Sequence, residues 1–315
     1  MSGSRRVLIT GASGFIGRYA VPALLARGYE VHTVGRRNIF DGIETIRHHK
    51  TDLLVEAEMR PLMDSIGPTH LLHLAWNVTH GQFWTALDNL DWVAASLKLT
   101  RAFAQAGGRR AVFAGTCAEY DWSHELLDES QTPLAPATLY GTAKGALRSL
   151  VESAANQTGV STAWGRIFFL YGPNEVRSRL IAHVISALLQ GQPALCTSAT
   201  QERDLMHVED VANAFACVLE SDWEGPVNIA SGTCRPLRDA VLLIGELTGR
   251  PDLIRLGARP MPVTEPHRLA AATEVLNNRI GFQPRYGLRD GLEATVNWWR
   301  SRPASTVSAS AGVGA

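Results

Sequence analysis

Seven residues near the start of the chain, Gly11-Ala-Ser-Gly14-Phe-Ile-Gly17, follow the β-rich run Arg6-Val-Leu-Ile-Thr10 and open a helical pattern that continues through Leu25. A strand that turns into a helix within so few residues needs glycine at the turn and again where helix packs on strand. Gly11 suits the turn, Gly14 the close approach of a pyrophosphate, and Gly17 the helix contact; Ser13, Phe15 and Ile16 line the same loop. Further β-rich runs, Glu30-Val-His-Thr-Val34, Thr69-His-Leu-Leu-His-Leu74, Ala111-Val-Phe-Ala114 and Ser161-Thr-Ala-Trp164, alternate with longer helix-like stretches. This alternation implies an α/β, Rossmann-type doubly wound parallel sheet, with ligands at the carboxyl ends of its strands.

A chain of 315 residues, 45% hydrophobic and 19% charged, can bury a large core. Residues 1–173, with part of 203–235, are expected to form an NADP-binding domain, and 174–302 mainly a smaller C-terminal α/β substrate lobe. Lobe elements are expected near 178–190, 208–221, 227–230, 236–248, 272–279 and 288–300, and residues 303–315 read as a disordered tail. Phe83 to Ala106 reads as one long amphipathic helix. Its apolar stripe is expected to be core, and part of it, with the helix bearing Tyr140, to pack against a second copy in a homodimer. The formal net charge is zero, so nothing in the whole-chain balance attracts nucleic acid or an anionic membrane. No apolar run approaches the ~20 residues of a membrane span, and Val7 to Ile9 is shorter than a signal-peptide core, so the cytoplasm is the expected location. Cys117, Cys196, Cys217 and Cys234 lack CxxC spacing; they read as reduced thiols, and no metal is expected.

The end of the second strand selects the cofactor, because a carboxylate there binds the adenosine ribose of NAD and an arginine suits the 2′-phosphate of NADP. Here the strand ends Val34-Gly35-Arg36-Arg37, with no acidic residue, which favours NADPH over NAD through Arg36 or Arg37. Asp52, followed by Leu53, is in position to hydrogen-bond the adenine amino group.

Only three of the thirty basic residues are lysines, and one stands four residues after a tyrosine, in Tyr140-Gly-Thr-Ala-Lys144. On a helix these two share a face, and an adjacent cation lowers the pKa of a phenol, making it a usable proton donor and acceptor near neutrality.

Further pieces fall in a familiar order: Asp52-Leu53, His73-Leu-Ala75, Phe113-Ala-Gly-Thr116, Tyr171-Gly-Pro173, Arg203-Asp-Leu-Met-His-Val-Glu-Asp210 and Val227-Asn-Ile-Ala-Ser-Gly232. With the glycine loop and the Tyr140–Lys144 pair, the chain resembles the extended short-chain dehydrogenase/reductases from about residue 5 to 300. The resemblance is to the branch acting on nucleotide-linked sugars, the NAD-dependent epimerase/dehydratases, and especially to NADPH-dependent 4-ketoreductases. It implies that Thr116 holds the substrate oxygen, Tyr140 is the catalytic acid/base, and Lys144 tunes it and holds the nicotinamide ribose. Leu74 and Ala75 then line the cofactor, with His73 and Asn89 in support. Arg203 resembles an arginine that grips the nucleotide diphosphate, the alternative being an ion pair with Asp204 or Asp210. Arg179 and Arg268 are further phosphate candidates. Trp76, Cys117 and Phe169 are candidates for the sugar pocket, as are His80, Trp84 and Trp122.

Departures from the family pattern narrow the chemistry. Relatives that remove water across C4 and C6 carry Thr-Asp-Glu, whereas this chain reads Thr116-Cys117-Ala118-Glu119. Relatives that epimerise and then reduce carry a cysteine at the place of Ala118, so Cys117 reads as packing. Phe169 replaces a frequent substrate-binding asparagine. The resemblance thus implies NADPH-dependent reduction of a nucleoside-diphosphate-linked 4-keto-6-deoxy sugar. The alternatives are a nucleotide-sugar 4-epimerase with tightly bound NAD and a reductase of a non-nucleotide ketone. A cofactor-sensing scaffold with a dead site is disfavoured, since both Tyr140 and Lys144 are kept.

Overall fold

The computed structural model describes residues 5–55, 59–261 and 265–302; the tail expected at 303–315 lies outside these. In chain order the elements are β1 (Arg6–Thr10), α1 (Gly17–Leu25), β2 (Glu30–Gly35), β3 (Ile46–Lys50), α2 (Met59–Ile66), β4 (His70–His73), α3 (Asp88–Gln105) and β5 (Arg110–Thr116). There follow β6 (Leu126–Leu127), α4 (Leu139–Thr158), β7 (Ser161–Ile167), β8 (Phe169–Tyr171), α5 (Leu180–Leu189), β9 (Ala194–Leu195) and β10 (Glu202–His207). The chain continues through α6 (Val208–Glu220), β11 (Gly225–Ile229), β12 (Cys234–Pro236), α7 (Leu237–Thr248), β13 (Ile254–Arg255), β14 (Arg268–Ala271) and α8 (Leu288–Arg300).

Seven strands form one sheet in the order β11-β7-β5-β4-β1-β2-β3, with every neighbouring pair parallel. Both faces are covered. Val7, Ile9 and Val31 pack with Val21 of α1 and Phe215 of α6 on one side, and Leu8, Leu71 and Phe113 pack with Leu62, Phe103 and Leu147 of α2, α3 and α4 on the other. Burial on both faces is why the central strands read as near-continuous apolar runs. Strand order reverses between β1 and β4, and the crevice at their carboxyl ends is where such sheets bind ligands.

A second sheet, β12-β10-β14-β6 with β8 paired to β10, leads into the smaller lobe. There Ile185 of α5, Ile244 of α7, and Leu292 and Trp299 of α8 share a core.

One expectation about elements needs correction. Residues 83–87 are not helical: the Asn89 side chain donates to Phe83 O at 2.8 Å and Ala86 O at 2.7 Å, occupying carbonyls that a longer helix would use. At that end the stripe is not core either, since Leu87 and Leu90 are exposed. Within the range 272–279, where an element is expected, Val275–Arg279 forms one wide helical turn, and β14 ends just before it at Ala271.

Candidate active site

β1 delivers the chain into the glycine turn at the sheet's crevice. Gly11 has φ +70°, and a Cβ there would stand 2.7 Å from Ala75 N and 2.8 Å from Leu74 C, so the loop after β4 lies against the turn. A Cβ on Gly17 would stand 2.2 Å from Gly11 O, and one on Gly14 3.0 Å from the same atom. These approaches leave a concave backbone that any larger residue would fill, as a dinucleotide pyrophosphate requires. α1 has no side-chain cap and no acidic residue in its first turn, so nothing at its start repels an anion. Ser13, Phe15 and Ile16 lie in the turn; Leu74 and Ala75 face it.

Sequence reasoning missed Arg18, the cation directly after the third glycine. Its guanidinium donates to Asn174 Oδ1 at 2.6 Å and to Ser13 O at 3.3 Å. Tyr19 donates to Pro173 O at 2.7 Å and accepts from Asn174 Nδ2 at 2.8 Å, tying the turn to the loop after β8. Arg36 and Arg37 stand exposed beyond β2, and neither forms an ion pair or hydrogen bond with another described residue. Asp52 Oδ1 accepts from Leu54 N at 3.1 Å, and Leu53 is buried alongside Val34 and Ala75.

Tyr140 and Lys144 lie on the first turns of α4, whose cap is Thr138, accepting from Gly141 N at 3.2 Å. Thr116 ends β5. Gly141 lets the helix close on the short turn after that strand, since a Cβ there would stand 2.3 Å from Ala118 O. The three sequence-selected side chains therefore gather at one place, with the Thr116 hydroxyl close enough to the Tyr140 phenol to favour its ionised form. Phe83, Trp84 and Trp76 surround the phenol edge-on, with ring centroids 4.9, 5.8 and 6.4 Å away. Lys144 Nζ donates to Ala114 O at 2.8 Å and lies 3.7 Å from the centre of the Trp76 ring.

Burial pushes the phenol of Tyr140 up from its ordinary range, and the neighbouring Thr116 hydroxyl is the largest influence opposing it, ahead of Arg179. Burial lowers Lys144 to about 7, while Glu119 pulls it back up. The ammonium is turned to a carbonyl and an indole face.

Around this trio the structure sorts the remaining candidates. Trp76 lies under Lys144 and donates to Asn89 Oδ1 at 2.8 Å, which makes Asn89 the anchor of the aromatic segment. His73 bridges Thr10 at 2.7 Å and Ser96 at 2.8 Å, and burial lowers it to about 3, so it is neutral. Cys117 is buried beside Tyr120 and Phe168, and burial drives its thiol up to about 12, so it stays protonated. Arg179 sits 5.9 Å from the Phe83 ring and acts electrostatically on Tyr140. His80 is exposed.

Arg203 pairs with neither Asp204 nor Asp210. Its guanidinium meets Glu265 at 3.0 Å and the carbonyls of Glu202, Pro266 and His267, with the Phe169 ring 5.2 Å away. Asp204 instead holds Ser231 and Gly232, and Asp210 accepts from Tyr286 N. Arg268 pairs with Glu202. Among the described residues no cluster of His, Cys, Asp and Glu is placed to hold a metal.

Glu175 is 6% exposed; Oε2 has no partner, and burial raises it to about 8 against the opposing pull of Arg179 and the Ala182 N–H. An acid raised in the folded state lends full stability below its unfolded value and loses it as pH rises to the folded value. Glu175→Gln, which keeps an acceptor for Ala182, is expected to leave the melting temperature unchanged near pH 4 and to raise it increasingly from pH 5 to 8. The gain approaches about 4 kcal/mol at pH 8; an equal effect at both ends of that range in thermal melts would contradict it.

Known proteins resemble this chain throughout its length. UDP-glucuronic acid decarboxylase 1 of Xenopus tropicalis is 24% identical over 311 residues, covering 94% of this chain and 72% of that protein. The UDP-glucose 4-epimerase of Thermus thermophilus, solved with NAD, is 25% identical with a TM-score of 0.80, covering 94% of this chain and 99% of that one. MoeE5, solved with UDP-glucuronic acid and NAD, is 29% identical with a TM-score of 0.82 and the same coverage. The family model described as "NAD dependent epimerase/dehydratase family" matches residues 7–230, spanning the glycine turn, Thr116, Tyr140 and Lys144, and this chain belongs to that family.

Proposed function

We propose that the protein is an NADPH-dependent reductase of a nucleoside-diphosphate-linked 4-keto-6-deoxy sugar. The observation that carries this reading is the isolation of the Tyr140–Thr116 pair. The neighbouring thiol, Cys117, is protonated, and the neighbouring carboxylate, Glu119, is fully buried and paired with Arg166 at 2.9 Å. With no free carboxylate or thiolate beside it among the described residues, Tyr140 suits one proton transfer at one carbon better than elimination or multi-centre epimerisation. The aromatic wall of Phe83, Trp84, Trp76 and Trp122 supports a sugar presenting a methyl group at C6 in place of a hydroxymethyl.

The residues present fit a nicotinamide dinucleotide: the glycine turn and α1 for its pyrophosphate, Arg36 and Arg37 for a 2′-phosphate, and Lys144 for its ribose. When bound, the nicotinamide supplies the hydride. Thr116 holds the carbonyl oxygen, and Tyr140 delivers a proton to it. Lys144, charged at and below neutrality, steadies the phenolate left behind. Arg179, at the start of α5, faces the same pocket and suits the diphosphate; Arg203 would reach it only by leaving Glu265. A homodimer joined through the exposed Leu87, Leu90 and Leu150 belongs to the same proposal.

Incubation with NADPH and a panel of nucleotide-linked 4-keto sugars, followed at the nicotinamide absorbance band, tests the reading. Turnover is expected with NADPH at a KM at least tenfold below that for NADH, and Arg36→Ala/Arg37→Ala removes the difference. A second reading, a 4-epimerase retaining NAD, draws support from the NAD-bound relatives. Protein that purifies with bound NAD and interconverts UDP-sugars without added cofactor would favour it. Reduction of small ketones alone would point to a non-nucleotide substrate.

A further inference from the structure

We infer that Glu119 is a positioning residue for this site, its carboxylate fixing the Thr116 end of β5 and placing a buried negative charge behind the reacting trio. The inference rests on reading Thr116, Tyr140 and Lys144 as the reacting trio.

Glu119 has no exposure. Oε1 accepts from Thr116 N at 2.9 Å and from Trp164 Nε1 at 2.8 Å, and Oε2 takes Arg166 Nε at 2.9 Å. Thr116 returns the contact by accepting from Ala118 N at 3.2 Å, so residues 116–119 form a closed capping box at the strand end. Gly115 leaves room for this: a Cβ there would stand 2.0 Å from Trp164 Nε1 and 2.7 Å from Glu119 Oε1. Arg166 lies 4.3 Å from the Tyr120 ring, and its two terminal nitrogens are buried without partners. A buried pair so incompletely satisfied is a poor device for stability alone.

The strand end carries both contacts to the reacting groups. Lys144 Nζ bonds Ala114 O, while Glu119 bonds Thr116 N two residues further along. The other groups near Lys144 are Trp76, the neutral His73 from β4, and Tyr140 on its own helix; Cys117 and Arg179 face Tyr140. Glu119 is the anion acting on Lys144 among the described residues, and it also disfavours the Tyr140 phenolate. One carboxylate therefore favours the protonated form of both groups.

The chain's three lysines make the test direct. Protein labelled with 13C at the lysine ε-carbon gives three signals, and Lys144→Met identifies the one to follow. Titrated by NMR without nucleotide, Lys144 is expected to have a midpoint near 7 in the unmodified chain. In Glu119→Gln, which keeps the Thr116 and Trp164 acceptor, that midpoint falls by about one unit or more, with Lys50 and Lys98 unmoved. The basic limb of kcat/KM moves down with it. If Glu119→Gln does not fold, Glu119→Leu/Arg166→Met removes both charges at similar volume and carries the same expectation. An unchanged Lys144 midpoint overturns the inference. A shifted midpoint in a protein that reduces no keto sugar leaves the inference standing and overturns the proposed reaction; turnover with an unshifted midpoint does the reverse.

Discussion

Tyr140→Phe is expected to lower kcat for NADPH-dependent reduction by about 10²–10⁴-fold, the range of a positioned general acid. The substitution removes one oxygen and leaves the ring where Phe83, Trp84 and Trp76 hold it edge-on. Packing is therefore nearly unchanged. Thr116 loses the phenol but keeps its bond from Ala118 N, so no buried hydroxyl is stranded. The dissociation constant for NADPH, read by fluorescence titration, is expected to stay within about threefold, because the glycine turn and Lys144 are intact. Loss of turnover with cofactor binding preserved is what a proton donor predicts. If steady-state turnover instead stayed within about threefold of the unmodified enzyme, the proton would have to come from elsewhere and the role given to Tyr140 would be wrong.

What the sequence makes visible at this site is what local spacing encodes. The strand–glycine–helix order places the phosphate turn, and the interval of four places Tyr140 and Lys144 on one face of α4. Thr116 is different: nothing local marks it, and only the order of motifs in related chains singles it out. The influence of Glu119 is less legible still. Its letter is in plain view, but Trp164 and Arg166 reach it from β7, more than forty residues later. Arg203 shows the converse. Its motif suggests a free phosphate ligand, yet β10 pairs with β14 and brings Glu265, Pro266 and His267 onto the guanidinium. β10 itself escapes a reading by apolar runs because its buried face includes Arg203 and Asp204. The start of α3 is hidden for a related reason. A side chain three or six residues away captures the carbonyls, and periodicity carries no trace of that.

The contact between α4 and the end of β5 gives the second large effect, through two glycines four residues apart on one helix. A Cβ at Gly141 would stand 2.3 Å from Ala118 O and 2.9 Å from Pro136 Cβ; at Gly145 it would meet nothing within 4 Å. Restoring an ordinary contact of 3.4 Å at Gly141 requires the helix to move off the 116–119 turn by roughly 1 Å. Tyr140 is the preceding residue and Thr116 lies on the turn, so the shift moves the phenol away from the Thr116 hydroxyl. A displacement of that size costs about 10²-fold in rate when it separates reacting groups. Gly141→Ala is thus expected to lower kcat at least a hundredfold while NADPH still binds at the distant glycine turn. Gly145→Ala, in open space on the same helix, is expected to raise stability by about 0.5–1 kcal/mol through helix propensity and to leave kcat unchanged. Steady-state kinetics and thermal melts on the two variants separate the explanations. If both lowered kcat alike, the helix as a whole would be intolerant of alanine and the contact at Ala118 would not be what aligns Tyr140 with Thr116.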